Sequence, residues 1–232
     1  HFLGNIKEVD YTTPHRSSNF ADIKRYGGRL LSDFVLYPYF IPSDEYKIQE
    51  NKIEAKFKCD VVFAGHFEDD GRIKCLESLL SAGYSVNLFG GGWDRANSCI
   101  SADSPLHKIL PTQPVTGEDY LKALCGASIC LCFFSTLNED SYTTRVFQIP
   151  ATQSFMLSQD SDDIRRIFEV GKEIDVFTGS HELVERVRFY LNNDVLRNEL
   201  AAAAYERVVR DRHDINSRAE DWIEAISEYE KS

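Results

Sequence analysis

From Cys59 onward the chain alternates between short apolar runs of strand length and longer stretches whose apolar residues recur at helical spacing. Residues 61–65 form one unbroken apolar run, followed by His66. The stretch 70–83 carries Ile73, Leu76 and Leu80 on one helical face, with Gly83 placed to close the helix just past its C-cap. A second strand is predicted over 85–89, a helix around Tyr120, Leu121 and Leu124, and a third strand over 129–134. Residues 155–158 give a fourth strand, 162–169 a short helix and 172–177 a fifth strand. The rest reads as helix: Leu183, Val184, Val187 and Leu191; then Leu196, Leu200 and Ala204; then Trp222, Ile223 and Ile226. This alternation predicts an α/β fold, a Rossmann-like, mostly parallel sheet with helices on both faces and a helical C-terminal tail. Uninterrupted apolar strands need cover on each side.

The first 57 residues lack that rhythm. Leu30, Leu31, Phe34, Val35 and Leu36 predict a helix running into a short strand, and the aromatic stretch 37–42 contains Pro38 and Pro42, which forbid a central strand. Residues 1–57 are therefore expected to be the linker or tail of a missing N-terminal domain, with 58–232 as the main domain. The start, His1-Phe2-Leu3-Gly4, is neither an initiator Met nor a signal peptide, so a piece of a longer chain is expected.

Composition narrows the classes. Of 232 residues, 43% are hydrophobic and 12% aromatic, enough to fill a core. Lys and Arg number 26 against 37 Asp and Glu, and the resulting net charge of −11 has the wrong sign for neutralising a nucleic-acid backbone. No apolar run approaches the roughly 20 residues of a membrane span. Six cysteines without CxxC pairing lie mostly in apolar runs, which predicts free core thiols in the cytoplasm. Cys130 and Cys132 share one strand face, but with no His or third Cys nearby they read as packing residues rather than a metal pair.

Chemistry concentrates at three predicted strand ends, which a doubly wound sheet would align along one edge. Gly65-His66 ends the first, as either a tight turn with a solvated His or a ligand-facing one. Gly90-Gly91-Gly92 ends the second, where glycines allow close backbone approach or simply a flexible loop. The third runs through Asp140, Ser141, Tyr142, Thr143, Thr144, Arg145 and Gln148: an acidic turn opening into an amphipathic helix expected from about Thr143, capped by Ser141 or Thr143 and kinked or ended by Pro150. An Arg there opposes the helix dipole, so its charge is best explained by a bound anion, the alternative being a surface pair with Glu139 or Asp140. Glu68-Asp69-Asp70 has the composition of a cation site, but Asp70 caps a helix adequately and the run reads as solvated charge rather than a metal site.

The residues 60–66, 89–93, 120–124, 142–151 and 155–158, with Phe168-Glu169, Gly171 to Ile174, His213 and Arg218 in the tail, together resemble the CgeB-like group of GT-B glycosyltransferases. The resemblance implies the C-terminal, nucleotide-sugar-binding half of a two-domain enzyme whose acceptor-binding half is absent. In related enzymes an acidic residue and a Glu eight positions later face the donor sugar and the ribose, with loop amides on the diphosphate. Asp140 and Gln148 hold that spacing, and Gln148 departs from the Glu in carrying no charge. The catalytic residues so implied are Asp140 and Arg145, and the donor-binding ones Gly65, His66, Gly90, Gly91, Ser141, Tyr142, Thr143, Thr144 and Gln148. Transfer from a nucleotide-diphosphate sugar to an unidentified saccharide or protein acceptor would need no metal and no cofactor, with helix amides and Arg145 stabilising the departing diphosphate. The alternatives are a catalytically inactive nucleotide- or glycan-binding module and a flavodoxin-like interaction domain.

Overall fold

The computed structural model describes residues 5–13, 16, 19–31 and 46–231. The chain divides into two compact units, one of Pro42–Val208 and one of His1–Ile41 with Val209–Ser232. In chain order the main elements are α1 (Asn19–Arg25), β1 (Cys59–Ala64), α2 (Arg72–Ser81), β2 (Val86–Phe89), α3 (Gly117–Cys125), β3 (Ala127–Cys132) and α4 (Arg145–Ala151). They continue with β4 (Met156–Gln159), α5 (Asp162–Ile167), β5 (Asp175–Phe177), α6 (Ser180–Leu191), α7 (Asp194–Arg210) and α8 (Ile215–Tyr229). The five strands form one sheet in the order β2-β1-β3-β4-β5, every pair parallel. This is the Rossmann-like α/β fold that the alternation predicts.

Period-two geometry sorts the strand residues between two faces. Val61 is in register with both Val86 and Ile129, and Leu131 with Leu157. These side chains join Phe63 and Phe133 in one buried layer with Leu76 and Leu79 of α2 and Leu183 and Val187 of α6. The Phe63 and Phe133 rings meet edge to face with centroids 5.0 Å apart, a pairing worth about 0.5–1.5 kcal/mol beyond area burial. On the other face Val62, Cys130 and Met156 are in register, where α3 and α4 cover them. The Cys130 thiol donates to the Leu124 carbonyl at 3.3 Å, and burial raises its pKa well above the usual thiol value. All six cysteines are free thiols.

Helix α2 ends where the sequence predicts: Gly83 follows the Ala82 cap with φ +90, and its amide bonds the Leu80 carbonyl at 3.1 Å. The fifth strand is shorter than predicted, because Val170 and Ile174 bridge to each other and bend the chain before Asp175. In the other unit, Leu30 pairs with Thr12 in an isolated bridge instead of entering a helix; Phe34, Val35, Leu36 and the stretch 37–42 lie outside the described residues. Asp214 caps α8 by accepting from the Ser217 amide at 2.9 Å. Among the described residues no helix is long and apolar enough to cross a membrane.

Candidate functional site

The strand order fixes the switch point of the sheet. From β1 the chain moves outward to β2, then returns to place β3 on the other side of β1, so the loops after β1 and β3 diverge at the carboxyl edge. That divergence is the crevice at which open parallel sheets bind ligands. Gly65 and His66 leave β1 there, and the loop after β3 leads into Arg145.

Arg145 is the first residue of α4, where the helix end carries partial positive charge and a cation gains nothing from the backbone. Its guanidinium lies over the Phe63 ring at 5.5 Å and donates from Nη2 to the Phe133 carbonyl at 3.2 Å. A Cβ built on Gly65 would come within 3.2 Å of its Nη1, so the side chain lies directly beside the end of β1. Among the described residues its buried Nε has no hydrogen-bond partner. Among the described residues no carboxylate forms an ion pair with Arg145, so the surface pair with Glu139 or Asp140 does not form. The amides of Thr143, Thr144 and Arg145 likewise donate to no described residue.

The other expected residues divide. His66 is exposed at the crevice mouth beside Gly91, and its carbonyl accepts from Arg72 at 2.5 Å. Gly90 is demanded by packing: it has φ +141, and a Cβ there would lie 2.0 Å from the Gly65 carbonyl oxygen. Gln148, one turn along α4 from Arg145, accepts from the Tyr120 hydroxyl at 2.9 Å. Burial raises the Tyr120 pKa against the pull of the nearby Arg145 charge, so the phenol keeps its proton and remains a donor.

One expectation needs correction. Neither Ser141 nor Thr143 caps the helix: α4 starts at Arg145 with Thr144 at its cap and no side-chain cap bond. Ser141 instead donates to Asp163 and accepts at its carbonyl from Ser161 at 2.5 Å, which ties the loop to α5, while the Thr143 hydroxyl lies 3.7 Å from the Cys132 sulfur. Tyr142 is 3% exposed, its ring edge-on to Phe147. As the helix-cap reading expects, the Asp70 carboxylate accepts the Arg72 amide at 3.0 Å, and it is held at 2.7 Å by both Arg72 Nε and Nη2.

Arg72 is the residue the sequence pattern does not single out. Its side chain, 3% exposed, joins the ends of two strands through the carbonyls of His66 and Phe134. Its signal is the one Arg145 also shows, a cation at the first position of a helix. Beside it a pocket of about 180 Å³ opens along the ends of β3, β4 and β5, lined by Lys74, Phe133, Thr136 and Gln159 among others.

A family model described as glycosyl transferase-like matches residues 72–224. No curated protein matches the chain. Among solved structures the chain is similar to Anabaena HepE, crystallised in complex with UDP-glucose, at TM-score 0.70 and 13% identity over 95% of this chain. It covers 64% of the HepE chain. It also resembles the C-terminal domain of the Francisella tularensis glycosyl transferase group 1 protein LpcC, at TM-score 0.56 and 10% identity over 76% of this chain and 96% of that one. Sucrose-phosphate synthase from Thermosynechococcus elongatus matches at TM-score 0.65 and 13% identity, over 96% of this chain and 58% of that one.

Proposed function

Because the chain belongs to the glycosyl transferase-like family, we propose that its switch-point crevice binds the diphosphate of a nucleotide-sugar donor and that the protein transfers the sugar to an acceptor. One observation carries the site assignment: Arg145 brings a full charge to the crevice with no carboxylate partner among the described residues and a buried Nε still to be bonded. A diphosphate answers both. It would accept from the guanidinium and from the unspent amides at Thr143 and Thr144, and the same contacts would strengthen as charge builds on the departing diphosphate during transfer. The charge is supplied by a side chain, so we assign no metal or cofactor to the step.

Asp140 would face the donor sugar and Gln148 the ribose, with the Gln148 amide oriented by Tyr120. Gly65, His66, Gly90 and Gly91 would form the opposite wall. HepE was crystallised with UDP-glucose, and uracil is accordingly the base we infer here. Within the family we place the chain in the CgeB-like group, on the run Arg145-Val146-Phe147-Gln148, and in the cytoplasm, where its thiols would stay reduced. The acceptor, and any base that takes its proton, are not assigned to residues of this chain.

Calorimetry with UDP tests the site. A charge-assisted hydrogen bond is worth about 1.5–3 kcal/mol, so Arg145→Ala should weaken UDP binding about ten- to a hundredfold, at about 1.4 kcal/mol per decade. Uridine, which has no phosphate to lose, should bind both proteins alike. Equal UDP affinity in a variant that remains folded by circular dichroism would remove Arg145 from the site.

A further inference from the structure

A further recess, bordered by described residues, lies at the other edge of the sheet. It is a groove of about 860 Å³ along the amino ends of β1, β3 and β4, in the size range of small-ligand sites. Its chemistry is layered. Helices α3 and α4 both end there, with Gly126 and Thr152 in the C-cap positions, so the floor presents helix carbonyl ends with partial negative charge. Such a floor accepts hydrogen bonds from hydroxyls and repels a compact phosphate. On the wall, Asn198 and Tyr205 of α7 make no side-chain hydrogen bond to another described residue.

The rim is cationic, in a chain whose net charge is −11. Lys47, Lys58 and Arg197 line it against a single lining carboxylate, Glu50. Glu50 pairs with Lys58 at 3.5 Å, and Asp194, outside the groove, holds Arg197 at 2.7 Å. Among the described residues Lys47 is held only by the neutral Gln153 amide, at 2.7 Å, and pairs with no carboxylate. A peptide strand finds no free sheet edge here, since β1, β3 and β4 are each paired on both sides.

We propose that this groove is a second binding site, specific for an acidic saccharide whose ring hydroxyls meet the carbonyl floor and the polar wall and whose carboxylates meet Lys47 and Lys58. The site is independent of the switch-point crevice and does not rest on nucleotide binding. Calorimetry of the full chain with trigalacturonic acid and with neutral maltotriose tests it. Trigalacturonic acid should bind about tenfold more tightly than maltotriose, one charge-assisted contact being worth about a decade. Lys47→Glu combined with Lys58→Glu, both exposed positions, should weaken trigalacturonic acid at least about tenfold and leave the circular dichroism spectrum unchanged. Tyr205→Phe should weaken both sugars, and Arg145→Ala neither. Absence of trigalacturonic acid binding, equal affinity for maltotriose, or indifference to the double substitution would overturn the proposal.

Discussion

Gly90→Ala separates packing from ligand binding at the second strand end. The new methyl would lie 2.0 Å from the Gly65 oxygen and 2.6 Å from the Gly65 carbonyl carbon, both backbone atoms that no rotamer change can move aside. Relief requires the ends of β1 and β2 to part, which loosens the Gly65 amide bond to Phe89 at 2.8 Å and the Phe67 amide bond to Gly91 at 3.0 Å. Each such bond contributes about 0.5–1.5 kcal/mol, and holding alanine at φ +141 costs about 1–3 kcal/mol. The expected loss is about 2–6 kcal/mol, a fall in Tm of roughly 4–24 °C at 2–4 °C per kcal/mol for a domain of this size. Gly83→Ala is the control: its φ is +90, but nothing lies within 4 Å of its Cβ, so only the backbone strain is felt. Thermal unfolding followed by circular dichroism should rank the parent highest, then Gly83→Ala, then Gly90→Ala. If Gly90→Ala melts no lower than the control and instead loses UDP binding, Gly90 serves the ligand and the packing explanation fails.

Two further outcomes follow from charges in the same unit. Arg72→Met should cost about 3–5 kcal/mol in urea unfolding, because it strands the Asp70 carboxylate and two strand-end carbonyls; a loss under about 1 kcal/mol would mean that water replaces the guanidinium readily. Glu182 has its pKa held below the usual 4.5 by hydrogen bonds from the Thr178 hydroxyl and amide, so its stabilisation is present above pH 4.5 and is lost as pH falls through its lower, folded value. Glu182→Gln should therefore show a shallower fall of stability below about pH 4.5 than the parent, and parallel curves would refute the linkage.

The sheet was legible because its strands are buried on both faces: continuous apolar runs such as 129–134 have few other uses in a chain with helical stretches between them. The loop after β3 was less so. Four hydroxyl-bearing residues, Ser141 to Thr144, precede the helix, and composition alone marks Ser141 or Thr143 as the cap. What decides otherwise is distant in sequence: Asp163 on α5 takes the Ser141 hydroxyl, and Phe147 packs on Tyr142. Gln148 was visible by spacing, but its partner Tyr120 lies 28 residues earlier on α3, where helical period marks it as a packing residue.

Arg72 and Arg145 show why a local signal can locate a charge and still not say what answers it. Both begin a helix, against its dipole, and both guanidiniums lie over the Phe63 ring, at 5.8 and 5.5 Å. Before Arg72, Asp70 is two residues away, near enough to accept the Arg72 amide and both guanidinium donors at once, and the charge is consumed within the protein. Before Arg145 the nearest carboxylate in sequence is Asp140, five residues back and across a loop tied to Asp163 through Ser141. With the loop held there, no ion pair closes on Arg145 among the described residues, and the charge stands at the junction of β1 and β3 without a carboxylate to answer it. An anion with several acceptor oxygens, as a diphosphate has, satisfies the guanidinium and the neighbouring amides together, which a single carboxylate does less well.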